Sequence, residues 1–317
     1  MVTAKTNEGL ESTQSRDILS YMAPKIEETP KGWVTELGLY YPTDQKTEKH
    51  KWLGTAPELR EWKGGREAHK PRDYGFELSN VLYEATIDLS LDDINRDKTG
   101  QIQPFIDGMV ERYNNQWNKL ATDLLNAAES TVCYDGEFWV DTDHPIPGTG
   151  STKSNDITFA AETGTAPVVS EMVDAILANI ETMFGFTDDQ GAPINEDVNS
   201  FYVMIPTSLW STTAKALGAE LIGSGDSNII KSGLEGFSIT AIQNQRLTWS
   251  DKFMVFARGS TSKAMVLQDE TAVSGMITYM AEGSAYEHKY RMHQYGIQSS
   301  RVVGPGFWQK CCMTTFT

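Results

Sequence analysis

Residues 52–66 form the segment that most constrains how this chain can fold. These fifteen residues contain two tryptophans, three Arg or Lys side chains and three glycines, so the segment is too polar to fill a hydrophobic core. Indole and guanidinium groups are enriched at protein interfaces, and exposed Trp is unfavourable on an isolated monomer. The Gly64-Gly65 pair is typical of a turn. We therefore expect a projecting hairpin or loop that lies on another molecule.

A different interpretation is that Trp52 and Trp62 anchor a small core within the hairpin itself, since Trp is usually mostly buried. The density of positive charge around both indoles leaves little room for such a core. Burial between two subunits accounts for both the apolar rings and the charges. The candidate interface residues are Trp52, Arg60, Trp62, Lys63 and Arg66.

Charge is distributed unevenly along the chain. The whole sequence carries a net charge of −16, from 27 Lys and Arg against 43 Asp and Glu. Residues 46–73 hold eight basic and five acidic side chains (8 − 5 = +3), whereas residues 120–235 hold three and eighteen (3 − 18 = −15). A body this acidic is a poor partner for free nucleic acid, because phosphate binding needs a basic surface. The pattern favours a basic loop that docks on the acidic surface of a neighbouring copy.

The bulk composition is that of a globular protein without a membrane segment. No apolar run approaches the ~20 residues needed to cross a bilayer, and the N-terminal residues contain no apolar signal sequence. The three cysteines are Cys133 and the adjacent pair Cys311-Cys312, which gives no disulfide framework and favours buried, idle thiols in a reducing compartment. We expect the chain in the cytoplasm or in a particle built there.

Hydrophobic periodicity predicts an α+β protein. Residues 81–92 alternate between apolar and polar side chains, which predicts a strand with one wet face that forms a long two-stranded arm with the preceding basic segment. Residues 102–128 keep a period near 3.6 and predict one long amphipathic helix. Its core-facing residues are expected to be Phe105, Met109, Tyr113 and Trp117.

Further elements are predicted along the rest of the chain. Residues 169–183 indicate a second helix, and a third is expected after Pro206 as far as Leu217. Buried strands are expected at 201–205, 237–242 and 253–257, with a short strand at 138–140 and alternating structure over 284–316. The aromatic strip over 33–41 is expected to belong to a terminal arm laid over a neighbour.

Catalytic motifs are weak. The cluster of Asp141, Asp143 and His144 could hold a divalent cation, but an acidic turn at the end of a strand explains it more simply. The glycine-rich stretch at 148–154 lacks the glycine spacing of a phosphate-binding loop, and no nucleophile elbow is present. We therefore predict no enzyme activity, no cofactor and no metal, with a metal-dependent hydrolase at these three residues as the enzymatic alternative.

Three regions in order resemble the gpT family, the major head subunits of Mu-like bacteriophages. They are residues 52–66 with the strand over 80–91, residues 92–94 running into the long helix, and residues 290–296 with 306–309. Between them they cover about half of the chain. Residues 164–283 carry little of the family signature.

The resemblance implies a major capsid protein with the Hong Kong 97-type fold of tailed phages. The expected divisions are an N-terminal arm (1–46), an extended loop (47–92), a peripheral domain with its spine helix (93–165), an axial domain (166–283) and a return to the peripheral domain (284–317). In such a protein Trp52 and Trp62 would be apolar anchors on the adjacent subunit, and the three basic residues of the candidate interface would pair with its acidic groups.

The same resemblance implies partners and a location. Copies would form pentamers and hexamers of an icosahedral shell, assembled in the bacterial host cytoplasm, that encloses double-stranded DNA without sequence-specific binding. The segment before the loop is too short for a built-in scaffolding domain, so a separate scaffolding protein or a prior cleavage is expected, together with a portal and possible decoration proteins. A non-viral shell compartment of the same fold is an alternative.

The charge division generates a salt prediction. If the basic loop docks electrostatically on an acidic neighbour, raising the salt concentration should slow or weaken assembly, because the Debye length shortens from about 10 Å at 0.1 M to about 3 Å at 1 M. Light scattering during assembly at the two ionic strengths measures this. Assembly that is independent of salt would leave burial of apolar surface as the driving force.

Overall fold

A computed structural model describes residues 5–8, 13–27, 29–50, 64, 76–96, 102–146, 150–187, 191–222, 225–232, 236–259 and 261–317. The helices are α1 (Thr13–Met22), α2 (Trp33–Leu37), α3 (Leu91–Arg96), α4 (Ile102–Asn114), α5 (Gln116–Asn126), α6 (Val169–Phe184), α7 (Trp210–Gly218), α8 (Ile229–Ser232) and α9 (Ala285–Tyr290). The strands are β1 (Lys5–Glu8), β2 (Gly38–Thr43), β3 (Thr47–Lys49), β4 (Glu77–Ser79), β5 (Val81–Ser90), β6 (His144–Pro145), β7 (Thr152–Lys153), β8 (Asp156–Phe159), β9 (Ser200–Ile205), β10 (Leu221–Ile222), β11 (Asp226–Ser227), β12 (Ser238–Gln243), β13 (Lys252–Arg258), β14 (Met265–Glu270), β15 (Met276–Met280), β16 (Met292–Pro305) and β17 (Cys311–Phe316). Among these described helices, none is both long and apolar enough to span a bilayer.

The long strand β16 organises a six-stranded mixed sheet. Arg301 pairs with Val81 of β5 and also with Asp269 of β14, so β5 and β14 lie on opposite edges of β16. β15 pairs with β16 on the β14 side, in series with β14, because β5 already occupies the other edge over the same residues. β2 flanks β14 and β1 flanks β15, both in parallel. The sheet therefore combines strands from both ends of the described chain.

Gly296 sits where β16 is flanked on both sides. A Cβ atom at this position would lie 2.8 Å from Thr278 Oγ1 and 2.9 Å from Thr86 Oγ1. These distances are shorter than van der Waals contact, so both threonines would have to move to accommodate any side chain. The requirement for glycine here is therefore steric.

A second sheet has the strand order β12-β9-β13-β17-β8. The strands predicted at 201–205, 237–242 and 253–257 are confirmed as β9, β12 and β13, and the helix predicted over 169–183 is confirmed as α6. The helix expected after Pro206 is confirmed as a 3-10 turn followed by α7. The short strand expected at 138–140 is reduced to one bridge between Val132 and Phe138. This sheet, α6 and α5 enclose the larger hydrophobic core.

A smaller core lies between the first sheet and the N-terminal part of the chain. It contains Leu19 and Met22 of α1, Ile26, and the buried face of α4. Two hydrogen bonds reinforce this packing: Tyr21 Oη donates to Asp107 Oδ2 (2.9 Å), and the backbone N–H of Glu27 donates to Asn114 Oδ1 (3.0 Å). Residues 18–27 thus pack on their own chain.

The aromatic strip over 33–41 also lies on its own chain, contrary to the expected arm over a neighbour. Val34 and Leu37 on α2 are buried in the larger core, and β2 hydrogen-bonds in parallel to β14. The sequence indicated correctly that the strip needs a partner. It could not indicate that the partner is a strand more than 220 residues further along the same chain, as the Tyr40–Asp269 hydrogen bond shows (229 residues apart).

The predicted spine helix is interrupted by one residue. α4 ends at Asn114 and α5 begins at Gln116, with Asn115 at φ −81° and ψ 0°, outside the helical region. The backbone bonds from Asn115 N–H to Glu111 O (2.9 Å) and from Lys119 N–H to Asn115 O (3.2 Å) carry the two segments past the break. The amphipathic pattern continues across Asn115, so periodicity alone predicted a single helix.

Phe105 corrects the predicted core face of this helix. Met109, Tyr113 and Trp117 are buried, but Phe105 is 70% exposed. At about 100° per residue, Phe105 lies roughly a quarter-turn or more from the centre of the buried face, which Ile106 helps to define. A four-residue spacing rotates by about 40° at each step, so the row from Phe105 to Trp117 drifts from solvent into the core.

One predicted extended region differs. The alternating strand is present as β5 and pairs with β16, while the basic segment expected to form an arm with it lies, apart from β3, mostly outside the described residues. Residues 285–290, which alternate in sequence, form α9, because Ser284 Oγ accepts a hydrogen bond from Glu287 N–H and caps the helix. Arg291 ends the helix in the left-handed conformation (φ 54°) before β16 begins.

A buried ion pair joins the sheet to the spine. Arg301 Nε lies 3.1 Å from Asp269 Oδ1, with the two side chains 1% and 2% exposed. The guanidinium carbon lies 4.5 Å from the ring centroid of Tyr113 and 4.7 Å from that of Trp117. Arg301 Nη2 also donates to Tyr113 Oη (2.6 Å), and Tyr40 Oη donates to Asp269 Oδ2 (3.0 Å). Burial beside the Asp269 carboxylate raises the pKa of Tyr40, so its hydroxyl stays protonated and remains a donor.

Arg301→Met is expected to lower the free energy of unfolding by about 3–5 kcal/mol, because it leaves the Asp269 carboxylate buried without its cation. Denaturant unfolding measures the change. The matched control is Arg291→Met, whose partner Asp92 is exposed, and this variant should change stability by less than about 1 kcal/mol. Equal effects of the two substitutions would contradict the assignment.

Candidate functional site

The structure describes the base of the candidate interface loop. Trp52, Arg60, Trp62, Lys63 and Arg66 lie outside the described residues. The loop leaves and returns through the antiparallel pair β3 and β4. The backbone N–H of His50 donates to Phe76 O (2.8 Å), and that of Asn80 donates to Lys46 O (2.7 Å). The residues on either side of segment 51–75 are therefore hydrogen-bonded to each other, so the segment begins and ends at adjacent positions.

His50 fastens this base to the first sheet. It is 1% exposed, and its Nε2 lies 2.8 Å from Gln268 Oε1 on β14. Because Gln268 Nε2 donates to Leu78 O (3.2 Å), its Oε1 is the acceptor and His50 Nε2 is the donor. The Tyr41 ring packs edge-on against His50 with centroids 5.1 Å apart. These contacts tie both strands of the base to β14.

A close approach between β4 and β16 completes the attachment. A Cβ atom at Gly304 would lie 2.5 Å from Leu78 Cδ2, so the absence of a side chain at 304 lets Leu78 lie directly on the strand. Leu78 is accordingly buried. The loop base is therefore held by packing as well as by hydrogen bonds.

Sequence reasoning missed His50, Gln268 and Leu78, although it predicted a loop in the segment whose two ends these residues hold. His50 and Gln268 are 218 residues apart, and neither belongs to a recognisable motif. The available local signal was the single apolar Leu78 between polar neighbours, immediately after the basic segment.

His144 does not form a site with Asp141 and Asp143. It is fully buried; its Nδ1 lies 2.7 Å from Asp135 Oδ2 and its Nε2 lies 3.2 Å from Asn155 Oδ1. Its ring is stacked on Trp308 at 4.0 Å. Because both ring nitrogens face acceptors within the fold, His144 is a structural residue, which corrects the three-residue cluster considered as an enzymatic alternative.

The two aspartates instead approach Glu137. One carboxylate oxygen from each of Glu137, Asp141 and Asp143 lies within 4.8 Å of the others. The pKa of Asp143 is raised because it shares a hydrogen bond with Asp141 and feels its charge. Such acidic groups are common on protein surfaces without a bound cation.

The three thiols are buried and unpaired, as predicted. Burial raises the pKa of Cys133, Cys311 and Cys312, so all three remain protonated near neutral pH. A protonated, buried thiol is a poor nucleophile.

Comparisons with known proteins identify the family that the chain resembles. Residues 26–169 match the family described as the Mu-like prophage major head subunit gpT. The Mu-like prophage FluMu major head subunit of Haemophilus influenzae is 28% identical over 128 residues, covering 39% of this chain and 42% of that protein. The major capsid protein of Escherichia phage Mu is 28% identical over 130 residues, with coverages of 40% and 42%. The resemblance seen in the sequence is confirmed, and the chain matches less than half the length of either relative.

Solved structures confirm the fold. The procapsid protein of bacteriophage JBD30 superposes with a TM-score of 0.55 at 19% identity, over 95% of this chain and 74% of that one. The mature capsid protein of bacteriophage PhiM1 gives a TM-score of 0.57 at 10% identity, over 100% and 92% of the two chains. The α+β architecture is therefore that of Hong Kong 97-type capsid proteins.

The His50 contacts generate a pH prediction. Burial lowers the pKa of His50, so as the pH falls the unfolded chain takes up this proton before the folded chain does. The contribution to the free energy of unfolding should therefore decline below about pH 6.5, by at most about 1.4 kcal/mol per pH unit.

His50→Gln keeps a donor toward Gln268 and removes the titration, so its stability should depend less on pH between 4 and 7. The control is His288→Gln, which changes an exposed histidine and should leave the wild-type slope unchanged. Urea unfolding across this pH range measures both variants. An unaltered slope in His50→Gln would show that the His50 proton is not linked to folding.

Proposed function

We propose that this chain is a major head subunit that assembles into the icosahedral shell of a Mu-like bacteriophage. The observation that carries the proposal is the family match of residues 26–169, a range that includes the whole interface loop. The capsid fold over nearly all of the chain supports it. The chain acts by association and carries out no catalysis.

We propose the following division of labour. Residues 1–46 form the N-terminal arm, 47–92 the extended loop, 93–165 the peripheral domain with the spine helix, 166–283 the axial domain and 284–317 the return to the peripheral domain. Two features of the chain support a division into lobes. The smaller core packs on the first sheet, whereas the larger core packs on the second sheet and also takes in β14 of the first; β16 and β17 carry the chain from the first sheet to the second.

Pentamers and hexamers form around local symmetry axes, and each loop reaches over the adjacent subunit. Trp52 and Trp62 act as apolar anchors there, while Arg60, Lys63 and Arg66 pair with carboxylates of the neighbour. The base of the loop at β3 and β4 supports this role. Because both ends of the loop are hydrogen-bonded to the sheet or to each other, a loop bound to a neighbour would link that neighbour to the folded body of the subunit.

Further partners follow from the same role. A separate scaffolding protein, a portal and decoration proteins act with the shell, which encloses double-stranded DNA without sequence-specific binding and is assembled in the host bacterial cytoplasm. The net charge of −16 supports enclosure without adhesion, since an acidic wall repels phosphate.

Size-exclusion chromatography with light scattering, followed by negative-stain imaging of the leading peak, tests the proposal. Rings of five or six copies, or closed shells, are expected. A chain that stays monomeric at all concentrations and ionic strengths, with or without a co-expressed scaffolding protein, would contradict it.

The loop assignment predicts the behaviour of one double variant. Arg60→Ala with Trp62→Ala should leave a folded subunit that fails to close shells, because the variant loses both a charge and an apolar anchor at the interface. The matched control, Arg60→Lys with Trp62→Phe, keeps both types of contact and should retain more assembly. Circular dichroism checks folding, and imaging counts shells. Closed shells from the alanine double variant in the wild-type yield would contradict the loop assignment.

A further inference from the structure

The outer edge of β5 has no strand partner among the described residues. β5 pairs with β16 over its whole length and with no other described strand. At its beginning, Val81 is 49% exposed and Leu82 is 64% exposed, although successive residues of a strand point to opposite faces. An unpaired edge with apolar side chains exposed on both faces is a common template for association.

A cavity of 460 Å³ opens at the same end of β5. It is lined by Lys46, Asn80, Val81, Leu82, Glu270, Val273 and Ser300. Its walls are thus largely apolar, with one cation and one carboxylate among the lining groups. Sites with apolar walls and few polar groups suit an aromatic or aliphatic side chain.

Asn80 bounds one side of this cavity. It is 2% exposed, and its Nδ2 donates to Gln45 O (3.3 Å), which fixes the orientation of the amide. This wall of the cavity is therefore held in place by the fold itself.

The strand that borders the cavity is acidic along its length. Residues 77–93 contain five exposed carboxylates and no Lys or Arg, a net charge of −5. Glu77 and Glu84 lie within four residues of Val81, at the cavity end, and the other three carboxylates lie toward the far end of β5. A positively charged segment that also carries a large apolar ring therefore complements this strand.

The chain itself contains one segment with this chemistry. Residues 46–73 carry a net charge of +3 and both loop tryptophans. Indole is a large, rigid ring that buries extensive apolar surface. Trp62 stands twelve residues after His50 and fourteen before Phe76, near the middle of the segment and farthest along the chain from its base.

We propose that the β5 edge and its cavity are the docking surface for residues 51–75 of a second copy, with Trp62 of that copy entering the cavity between Val81, Leu82 and Val273. The inference rests on the proposed function, because it assumes association through the loop. It adds the receiving surface: an apolar socket at the end of β5 that lies nearest in sequence to Glu77 and Glu84.

Disulfide trapping tests this contact directly. One tagged chain carries Trp62→Cys and a second, differently tagged chain carries Leu82→Cys; the two are mixed under assembly conditions and oxidised mildly. The native thiols compete little, since all three are buried and their pKa values are raised. The matched control replaces Leu82→Cys with Phe105→Cys, an equally exposed apolar position on α4 outside the cavity.

The cross-linked heterodimer should form about tenfold faster with Leu82→Cys than with Phe105→Cys, because docking raises the effective concentration of the two thiols. Equal rates would overturn the inference. So would a chain carrying both Trp62→Cys and Leu82→Cys that oxidises within itself in preference to its neighbours, which would make the loop fold back on its own strand.

A second measurement separates this inference from the proposed function. If wild-type shells form but trapping at Leu82 is not favoured, the docking surface is wrong and the capsid role stands. If no oligomer forms under any condition, both fail. Leu82→Asp should lower shell yield at least about tenfold while Leu82→Met does not, and equal yields would also overturn the docking surface.

Discussion

The ion pair between Arg301 and Asp269 is the contact on which the arrangement of the first sheet and the spine depends. Charges this deeply buried are tolerated only when they are paired and fully hydrogen-bonded. Arg301 meets its partners on three elements: Asp269 on β14, Tyr113 on α4 and Trp117 on α5. The break at Asn115 lies between the two aromatic residues, so the guanidinium bridges the interruption in the spine. Tyr40 adds β2 to the same network through Asp269.

The local hydrophobic pattern was sufficient to predict helices and strands that bury a single face or a continuous apolar run. α6, β9 and β13 have one clear apolar stripe or an unbroken apolar run, and each lies where the sequence predicted it. It was insufficient where tertiary contacts decide. Alternation over 285–290 is compatible with a strand until the Ser284 cap and the left-handed Arg291 are considered together. The position of Phe105 fits a four-residue spacing, yet it lies about a quarter-turn from the centre of the buried face and its ring is exposed.

The candidate site shows the same limit. Composition predicts a loop for association, because Trp and Arg together in a polar segment have few other uses, and this stays a prediction since the loop residues lie outside the described part of the chain. It could not supply the anchor, since His50, Leu78 and Gln268 become neighbours only after the sheet has formed. Lys310 is a further case: its ammonium is buried against Ile194 O and Asn195 Oδ1, and burial lowers its pKa to about 8. A lysine in sequence carries no sign that its charge will be enclosed.

The positions of β16 and β17 in the chain also determine when the two sheets can be completed during synthesis. β16 lies between β5 and the series formed by β14 and β15, and β17 lies between β13 and β8. Every other described strand precedes them, so a ribosome delivers these two interior strands after their described neighbours. Until residues 292–316 have been synthesised, the nascent chain holds the flanks of two sheets without the strands that join them. Completion of either sheet therefore follows the synthesis of residues 292–316, and any association that needs a finished surface must wait for this region.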